Sequence, residues 1–298
     1  MSVSYWRYQS AYTCSRALWQ REAMEEACAR WASTTTTATS APATASSGPT
    51  TVSTGPPSEA PRDPKVVVFG GSGFVGSAVC QAAVDLGLKV TSVSRGGRPS
   101  FASGADWASG VEWLRSDVEN DEGQWREALE GATGVVSTLG AFGSNKFMYK
   151  VCGLYNIKVL HAAKEAGVER FSFISVHDFA FPGGWQAENF LLRGYFQGKR
   201  DAEAEMAKLF HERGVALRPG FVYGTRHAGN VNIPLGMIGA PMEAVINRLP
   251  RGLATIPIVG CAFVPPVRVE SVGKAALMAV LDPEVAGGPM NVWDIQKY

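Results

Sequence analysis

The chain has 298 residues, with 28 basic against 27 acidic side chains and 46% hydrophobic residues. This balance gives no basic surplus for nucleic-acid binding, and no apolar run reaches the ~18 residues that a membrane span needs. The five cysteines form no CxxC pair, so we expect reduced thiols and neither a disulfide framework nor a metal site. Length and apolar content predict a soluble globular domain at residues 62–298, preceded by an extension.

The extension covers residues 1–61. Three arginines precede its first acid, Glu22, and residues 32–61 are almost entirely Ala, Ser, Thr, Pro and Gly. Because this composition cannot bury enough apolar surface to offset chain entropy, the segment is predicted to be disordered. An arginine-bearing start with a Ser/Thr/Ala-rich tail is typical of an organelle transit peptide, although the acidic cluster at 22–26 departs from that pattern. An untargeted extension is the alternative.

A glycine-rich turn follows the first predicted strand, in the stretch KVVVFGGSGFVG at residues 65–76. The apolar run 66–69 predicts a buried strand, and the run 74–86 predicts a helix that closes at a glycine. Strand, glycine turn and helix in this order are the context of a dinucleotide-binding fingerprint, in which glycines let the backbone approach a pyrophosphate. The residues predicted to bind the cofactor here are Gly70, Gly71, Ser72, Gly73, Phe74, Val75 and Gly76.

Strand-like and helix-like segments then alternate along the chain. Further strands are predicted at 89–94, 111–114, 134–139, 170–176 and 215–217, with helices around 124–129, 147–166, 190–213 and 270–281, and a last strand at 291–295. This alternation predicts an α/β fold with a doubly wound parallel sheet, whose ligands bind at the carboxyl ends of the strands.

The end of the second predicted strand indicates which nicotinamide cofactor is bound. An NAD-preferring site usually places an acid here for the ribose hydroxyls, whereas this chain has Ser94, Arg95 and, three residues on, Arg98. A guanidinium can hold a phosphate through two parallel hydrogen bonds. The sequence therefore predicts NADP(H) in preference to NAD(H), with solvated loop arginines as the alternative.

The next strand ends supply the rest of the predicted nucleotide site. Asp117 follows the third strand and is placed to meet the adenine, although a solvated loop acid is an alternative. Thr138, Leu139 and Gly140 end the fourth strand and are expected to line the adenine and ribose side.

Three side chains after the fifth strand predict carbonyl chemistry. Ser175 ends that strand, and the next helix carries Tyr195 and Lys199 four residues apart, which places both on one helical face. An ammonium beside a phenol favours the phenolate and lowers its pKa, while a serine hydroxyl can orient a carbonyl. Together they predict an acid/base unit for carbonyl reduction beside a nicotinamide, with Lys199 also holding the ribose.

Neighbouring features extend this predicted site. Gly194 and Gly198 interrupt a good helix, as happens where a ligand or another backbone comes close. The end of the sixth strand has glycines that free the backbone to reach the nicotinamide, through Pro219, Gly220, Phe221 and Val222. The pair at 177–178, a histidine and an aspartate, is an alternative to Ser175 as donor or positioning group.

Residues 225–268 are where substrate identity should be encoded. They are apolar and proline-rich with few charges, which suits a hydrophobic substrate, a lipid surface, a protein partner or plain core packing.

Several motifs in fixed order carry a family resemblance over most of residues 65–270: GGSGFVGSAVC, SVSRGGRPS, GAFGSN, SVHDF, GYFQGKRDAEAE, LRPGFVYGTR and IPLGMIGAP. The chain resembles the atypical short-chain dehydrogenase/reductases, and is similar to plant and algal organellar NAD(P)-binding Rossmann proteins, including chloroplast members associated with plastoglobules. More distantly it is similar to the accessory subunit of respiratory complex I that has this fold and to a fungal mitochondrial protein of ubiquinone synthesis. The resemblance implies a Rossmann domain that binds NADP(H) and an address in the chloroplast (plastoglobule or stroma), with the mitochondrion as the alternative.

Two functions from different classes fit these residues. The first is an NADPH-dependent reductase of a hydrophobic carbonyl or quinone-like compound, with Tyr195 as proton donor. The second is a non-catalytic NADP(H)-binding protein used in assembly or at an organellar lipid surface. A third, an NAD-dependent epimerase, is disfavoured by Arg95 and by the absence of obvious sugar-nucleotide contacts.

Overall fold

A computed structural model of the chain describes residues 25–26, 29–30, 64–179, 192–228, 231–256 and 259–298. By its internal contacts the chain divides into two units, Met1–Pro64 and Lys65–Tyr298. Residues 25–26 and 29–30 of the first unit are helical, and Arg30 lies 3.7 Å from Glu26 there. The predicted disorder of residues 1–61 and the predicted transit peptide otherwise lie outside the described residues.

The second unit is built on a seven-stranded sheet in which every neighbouring pair is parallel. Its strands are β1 (Lys65–Phe69), β2 (Lys89–Ser94), β3 (Val111–Arg115), β4 (Gly134–Ser137), β5 (Arg170–Ile174), β6 (Gly214–Arg218) and β11 (Gly288–Asn291). The order across the sheet is β11-β6-β5-β4-β1-β2-β3. Because the chain runs outward on both sides of β1, a ligand crevice is expected at the carboxyl ends of β1 and β4.

Helices cover both faces of this sheet. The α-helices are α1 (Phe74–Asp85), α2 (Glu122–Glu127), α3 (Asn145–Tyr149), α4 (Tyr155–Glu165), α5 (Arg193–Phe210), α6 (Gly236–Ile246), α7 (Val269–Leu281) and α8 (Val292–Ile295), and a π-helical segment, Lys150–Leu154, joins α3 to α4. Strands covered on both faces read as unbroken apolar runs, which explains the buried sequence from Val66 to Phe69. In the core, Trp125 of α2 meets the Phe69 ring edge-on at 5.7 Å.

The predicted α/β doubly wound fold is confirmed. The structure ends β4 at Ser137 and β5 at Ile174, two residues before the predicted ends in each case. The site residues at 138–140 and Ser175 therefore lie in the loops just past these strands, where the side chains are freed from the ladder.

The predicted last strand at 291–295 is wrong in its position along the chain. The strand there is Gly288–Asn291, and Val292–Ile295 forms a helical turn. The physical reason is a helix cap, because Oδ1 of Asn291 accepts hydrogen bonds from the backbone N–H groups of Trp293 and Asp294.

The segment 225–268 forms a small subdomain beside the sheet. A hairpin of β8 (Thr225–Ala228) and β9 (Val231–Pro234) leads into α6, and β7 (Val222–Tyr223) pairs in parallel with β10 (Val267–Arg268). Within the described ranges, the helices are all too short or too polar to span a bilayer.

Candidate functional site

The glycine turn between β1 and α1 forms the floor of a cleft. Gly70 has a φ of +82°, and its N–H donates to the carbonyl of Val93 at 2.8 Å. A Cβ at Gly70 would lie 2.6 Å from the hydroxyl oxygen of Thr138, and a Cβ at Gly76 would overlap the carbonyl oxygen of Gly70. Both positions therefore require glycine, and the turn leaves the α1 N-terminus open to a phosphate group, as a dinucleotide needs.

The cleft is a cavity of about 260 Å³ at the carboxyl ends of β1, β2, β3 and β4, and we call it the strand-end cleft. Its predicted members are Gly70, Ser72, Gly73, Ser94, Arg95, Asp117, Thr138, Leu139 and Gly140. Residues from four separate loops thus converge on one cavity, because parallel strands end at the same edge of the sheet.

Other predicted cofactor residues do not line this cavity. These are Gly71, Phe74, Val75, Gly76, Arg98, Lys199, Pro219, Gly220, Phe221 and Val222. The turn glycines among them act through packing: a Cβ at Gly71 would overlap Ser92 of β2.

The two predicted arginines have different positions. Arg95 is exposed and lines the strand-end cleft, whereas Arg98 donates from Nη2 to the carbonyl of Ala102 at 3.1 Å. Arg95 is therefore the arginine that can reach a ligand in the cleft. Arg98 braces the short helical turn that follows β2.

Sequence reasoning missed six lining residues: Val93, Gly96, Ser116, Val118, Val151 and Tyr155. The last two reach the cleft because the helix widens into the π-helical segment before α4. The side chain of Asn156 supplies hydrogen bonds to this segment, because its Nδ2 donates to the carbonyls of Val151 at 3.1 Å and Cys152 at 3.0 Å. No local sequence pattern predicts a π turn, so Val151 and Tyr155 could not be identified as cleft residues from their spacing.

A charged bridge lies next to the cleft residue Tyr155. The Glu119 carboxylate accepts hydrogen bonds from the Lys150 ammonium and the Tyr155 hydroxyl. The hydrogen bond from Lys150 lowers the pKa of Glu119, and burial raises the pKa of Tyr155. This bridge ties the loop after β3 to the π-helical segment. In the same loop, Asp117 Oδ1 accepts from the Glu119 N–H at 2.8 Å.

Lys199 joins the ends of two central strands. It is buried, and its ammonium donates to the carbonyl of Leu139 at 3.0 Å and to that of Ile174 at 2.6 Å. Burial lowers the pKa of Lys199 to about 8. Its Nζ lies 6.0 Å from the centre of the Tyr195 ring, and a Cβ at Gly140 would be 3.5 Å from it, so the ammonium lies just behind the cleft wall.

Ser175 follows Ile174 directly, and its hydroxyl is buried with no hydrogen-bond partner among the described residues. Its N–H donates to the carbonyl of Leu217 at 2.7 Å, which fixes the backbone at the end of β5. A buried hydroxyl without a partner costs free energy, which a hydrogen bond to a ligand at this position would recover.

The pKa of Tyr195 shifts in the opposite direction from the one expected. We expected Lys199 to lower the pKa of this phenol, but burial raises its pKa. The ring of Phe142 stacks on Tyr195 at 5.0 Å and 17°, while Phe142 itself is 67% exposed. Desolvation outweighs the distant ammonium, so Tyr195 is held in the protonated phenol form.

The two helix glycines serve helix packing. A Cβ at Gly194 would overlap the carbonyl of Asn145, and one at Gly198 would lie 2.8 Å from the backbone N of Gly153. The Gly194 N–H donates to Oδ1 of Asn145 at 2.9 Å. Of the two reasons expected for these glycines, the close approach of another backbone is the one observed, and it brings Tyr195 and Lys199 against the π-helical segment.

The loop after β6 turns toward the subdomain. The carbonyl of Pro219 accepts from the His177 N–H at 2.9 Å, and that of Phe221 accepts from the Val267 N–H at 2.9 Å. A Cβ at Gly220 would lie 2.8 Å from Val264. The loop after β6 therefore contacts both the loop after β5 and strand β10. Its residues are not among those that line the strand-end cleft.

The predicted alternative pair after Ser175 is engaged in structural contacts. The His177 ring is buried and lies edge-on to Trp293 at 5.9 Å, and burial lowers its pKa. Asp178 lies 3.4 Å from Arg200 and 3.6 Å from Arg218. These contacts make both residues part of the packing around the β5 and β6 ends.

Comparison with known proteins supports the nucleotide site. A family model described as NAD(P)H-binding matches residues 70–233. The chain is 42% identical over 226 residues to an uncharacterised chloroplastic protein of Arabidopsis thaliana, covering 75% of this chain and 73% of the relative. It is 26% identical over 276 residues to MIOREX complex component 2 of Saccharomyces cerevisiae, covering 75% and 96%.

Among solved structures, UDP-glucuronic acid 4-epimerase from Bacillus cereus in complex with NAD is 18% identical, with a TM-score of 0.53 and 76% of each chain covered. At this identity the likeness shows the fold alone. The predicted chloroplast location is confirmed by the Arabidopsis relative, while fungal relatives with mitochondrial names keep the mitochondrial alternative plausible. With the family model covering more than half of its residues and the strand-end cleft built as a dinucleotide requires, the chain belongs to the NAD(P)H-binding family of Rossmann-fold proteins.

Proposed function

We propose that this protein binds NADP(H) in the strand-end cleft and reduces a hydrophobic carbonyl or quinone-like compound. Arg95 at the end of β2 supports NADP(H) over NAD(H), because its guanidinium is exposed at the cleft where a 2′-phosphate would lie. Gly70, Gly73 and the open N-terminus of α1 would hold the pyrophosphate. Bound NADPH would supply a hydride to the substrate.

The observation that carries the reductase assignment is the buried ammonium of Lys199. It bridges the carbonyls at the ends of β4 and β5, one residue before the unpartnered hydroxyl of Ser175. A lysine is rarely this buried without a role, since burial penalises its charge. In this position Lys199 would hold a ribose hydroxyl of the cofactor. It would also fix the positions of the two strand ends relative to Tyr195.

Proton transfer falls to Tyr195. Its raised pKa keeps the phenol protonated at neutral pH, which is the form that a proton donor in carbonyl reduction requires. The hydroxyl of Ser175 would donate to the carbonyl oxygen and orient it. The exposed ring of Phe142, stacked on Tyr195, offers an apolar surface beside the donor and favours a hydrophobic substrate.

The second candidate is a nucleotide-binding protein without turnover, which serves in assembly or at a lipid surface such as a plastoglobule. The stacked and desolvated Tyr195 favours it, because a phenol whose pKa is raised is a weaker acid than one tuned toward neutral pH. The predicted transit peptide would deliver either protein to the chloroplast.

Substitution of Tyr195 by Phe separates the two candidates. NADPH oxidation would be followed by absorbance with a panel of quinones and aldehydes, and NADPH affinity by calorimetry. For the reductase we expect turnover to fall at least ~100-fold with NADPH affinity unchanged, because only the donated proton is lost. Tyr149→Phe, which removes a hydroxyl bonded to Asp201, is the matched control and should keep its activity. Equal activity of Tyr195→Phe and the wild-type protein would refute the assigned proton donor.

A further inference from the structure

Among the described residues, the close contacts of helix α6 with Tyr223 and Gln296 lie on one side of the helix. Gly239 packs so closely on the ring of Tyr223 that a Cβ would overlap it. Glu243, one turn later on the same side, accepts from the Tyr223 hydroxyl and, at 2.9 Å, from Nε2 of Gln296. These contacts fix the rotation of the helix about its own axis, so its other side must face outward.

The outward side is apolar. At 100° per residue, Met237, Ile238 and Val245 lie opposite Gly239 and Glu243, and they are 77%, 68% and 57% exposed. Leu249 follows just past the helix end and is also exposed. We call Met237, Ile238, Val245 and Leu249 the outer face of α6. Large apolar side chains grouped in this way on a surface indicate an interaction site.

The charge around the outer face has one sign. Residues 231–267 contain two arginines, Arg248 and Arg251, and a single acid, Glu243, which is turned inward. Arg248 and Arg251 follow the helix and are exposed. An apolar face with an arginine rim is complementary to a surface that is apolar inside and anionic at its boundary.

The size of the outer face argues against a second copy of the chain as its partner. Helix α6 has 11 residues, which is about 16 Å of helix. A stable interface between two proteins needs roughly 800 Å² from each partner and about 20–30 residues. Four side chains on a short helix fall well short of that, whereas shallow insertion into a lipid surface needs only such a face.

We propose that the outer face of α6 docks the protein on an anionic lipid surface, with Ile238 and Val245 inserted among the acyl chains and Arg248 and Arg251 at the headgroups. The inference deepens the second candidate function and rests on it for the lipid setting, since it names the surface that meets the lipid. Docking does not depend on turnover, so it holds for either candidate function.

The test is flotation of the full chain with vesicles of phosphatidylcholine, with and without phosphatidylglycerol. We expect binding to the anionic vesicles that weakens as salt is raised. Ile238→Glu combined with Val245→Glu should reduce the vesicle partition coefficient at least ~10-fold, because two inserted side chains become charged. Arg248→Gln and Arg251→Gln should each reduce it roughly fivefold, the equivalent of one lost cation at the lipid boundary.

A charge-matched control distinguishes insertion from simple repulsion. Gln81→Glu combined with Gln124→Glu adds the same negative charge at two exposed positions of α1 and α2 and should bind vesicles nearly as the wild type does. NADPH affinity, measured on every variant, reports the folded state and tests the nucleotide site separately from docking.

Three outcomes would overturn the lipid assignment. They are failure of the wild-type chain to float with anionic vesicles, unchanged binding of the Ile238→Glu, Val245→Glu variant, and a concentration-dependent dimer that this variant abolishes. The last result would assign the outer face to a second copy of the chain. Loss of NADPH binding by the wild-type chain together with retained flotation would refute the nucleotide proposal and leave the docking surface standing.

Discussion

Arg95 and Arg98 are three residues apart in one loop, yet their side chains make different contacts. Both are arginines after β2 with the same predicted role, yet one lines the strand-end cleft and the other is hydrogen-bonded to the carbonyl of Ala102. Spacing along the chain cannot separate them, because the turn at Gly97, with a φ of +62°, reverses the chain between them.

Arg95→Ala should weaken NADPH binding about 10- to 100-fold and leave NADH binding within about twofold, because only the 2′-phosphate loses its partner. Calorimetric titration of the full chain with each nucleotide measures both affinities. Arg98→Ala is the control of equal charge, and it should leave both unchanged. A loss shared equally by the two nucleotides would show that Arg95 does not read the 2′-phosphate.

The burial of Lys199 makes the stability of the folded chain depend on pH. Its pKa is lowered from 10.5 to about 8 in the folded chain, so between these values the unfolded chain holds a proton that the folded chain has released. Raising the pH through this window therefore favours the folded state, by up to roughly 3 kcal/mol.

Lys199→Met keeps the length of the side chain and removes the titration. The free energy of unfolding in urea, measured at both ends of the window, should rise with pH more steeply in the wild type than in this variant. A constant difference between the two proteins across the window would mean that Lys199 is not desolvated in the folded state.

At the scale of elements, the contact between α5 and the helical stretch from α3 to α4 places the proposed chemistry. The approach is closest at Gly194 and Gly198, where backbones touch directly. This packing holds the Lys199 ammonium at the strand ends and Tyr195 beside Phe142. The π-helical segment, Lys150–Leu154, lies in the same contact, and its widened turn delivers Val151 to the cleft.

Gly194→Ala should destabilise the chain by about 2–4 kcal/mol, because the new methyl group overlaps a backbone carbonyl that cannot move without shifting α3. Gly123→Ala in α2 is the matched control, since a Cβ there meets nothing and a helix gains up to about 1 kcal/mol from alanine. Urea unfolding of both variants gives the comparison. A stability of Gly194→Ala equal to that of the wild type would mean that α5 and α3 are not in direct backbone contact.

At the scale of the whole molecule, a ligand in the strand-end cleft contacts the loops after β1, β2, β3 and β4 at once. These loops belong to strands on both sides of the point where the sheet order reverses. Binding therefore stabilises Lys65–Tyr298 as a unit and should raise its cooperative unfolding temperature.

NADPH at about 100 times its Kd should stabilise the folded chain by about 2.7 kcal/mol and raise Tm by roughly 5–10 °C. Thermal unfolding followed by circular dichroism measures the shift. Arg95→Ala at the same NADPH concentration should show a clearly smaller shift. Identical unfolding curves with and without either nucleotide would contradict binding in the cleft.

Much of this architecture could be predicted from local sequence. The apolar run before the glycine turn and the turn itself predicted β1 and α1 nearly to the residue, because a parallel strand covered on both faces and a pyrophosphate-binding turn each leave a pattern within a dozen residues. The same reasoning placed nine residues in the strand-end cleft, since strand ends of a parallel sheet share one edge.

Only the tertiary structure decided which of the remaining residues take part. The raised pKa of Tyr195 comes from burial, whereas the lysine four residues away on its own helix was expected to lower it. The π turn that brings Tyr155 to the cleft, and the rotation that turns the apolar side of α6 outward, depend on backbones distant in sequence. Sequence by itself determined the fold, the glycine turn and the strand ends, because those follow from local pattern. Desolvation, close packing and exposure belong to the folded molecule, because each is set by what comes near a residue in space.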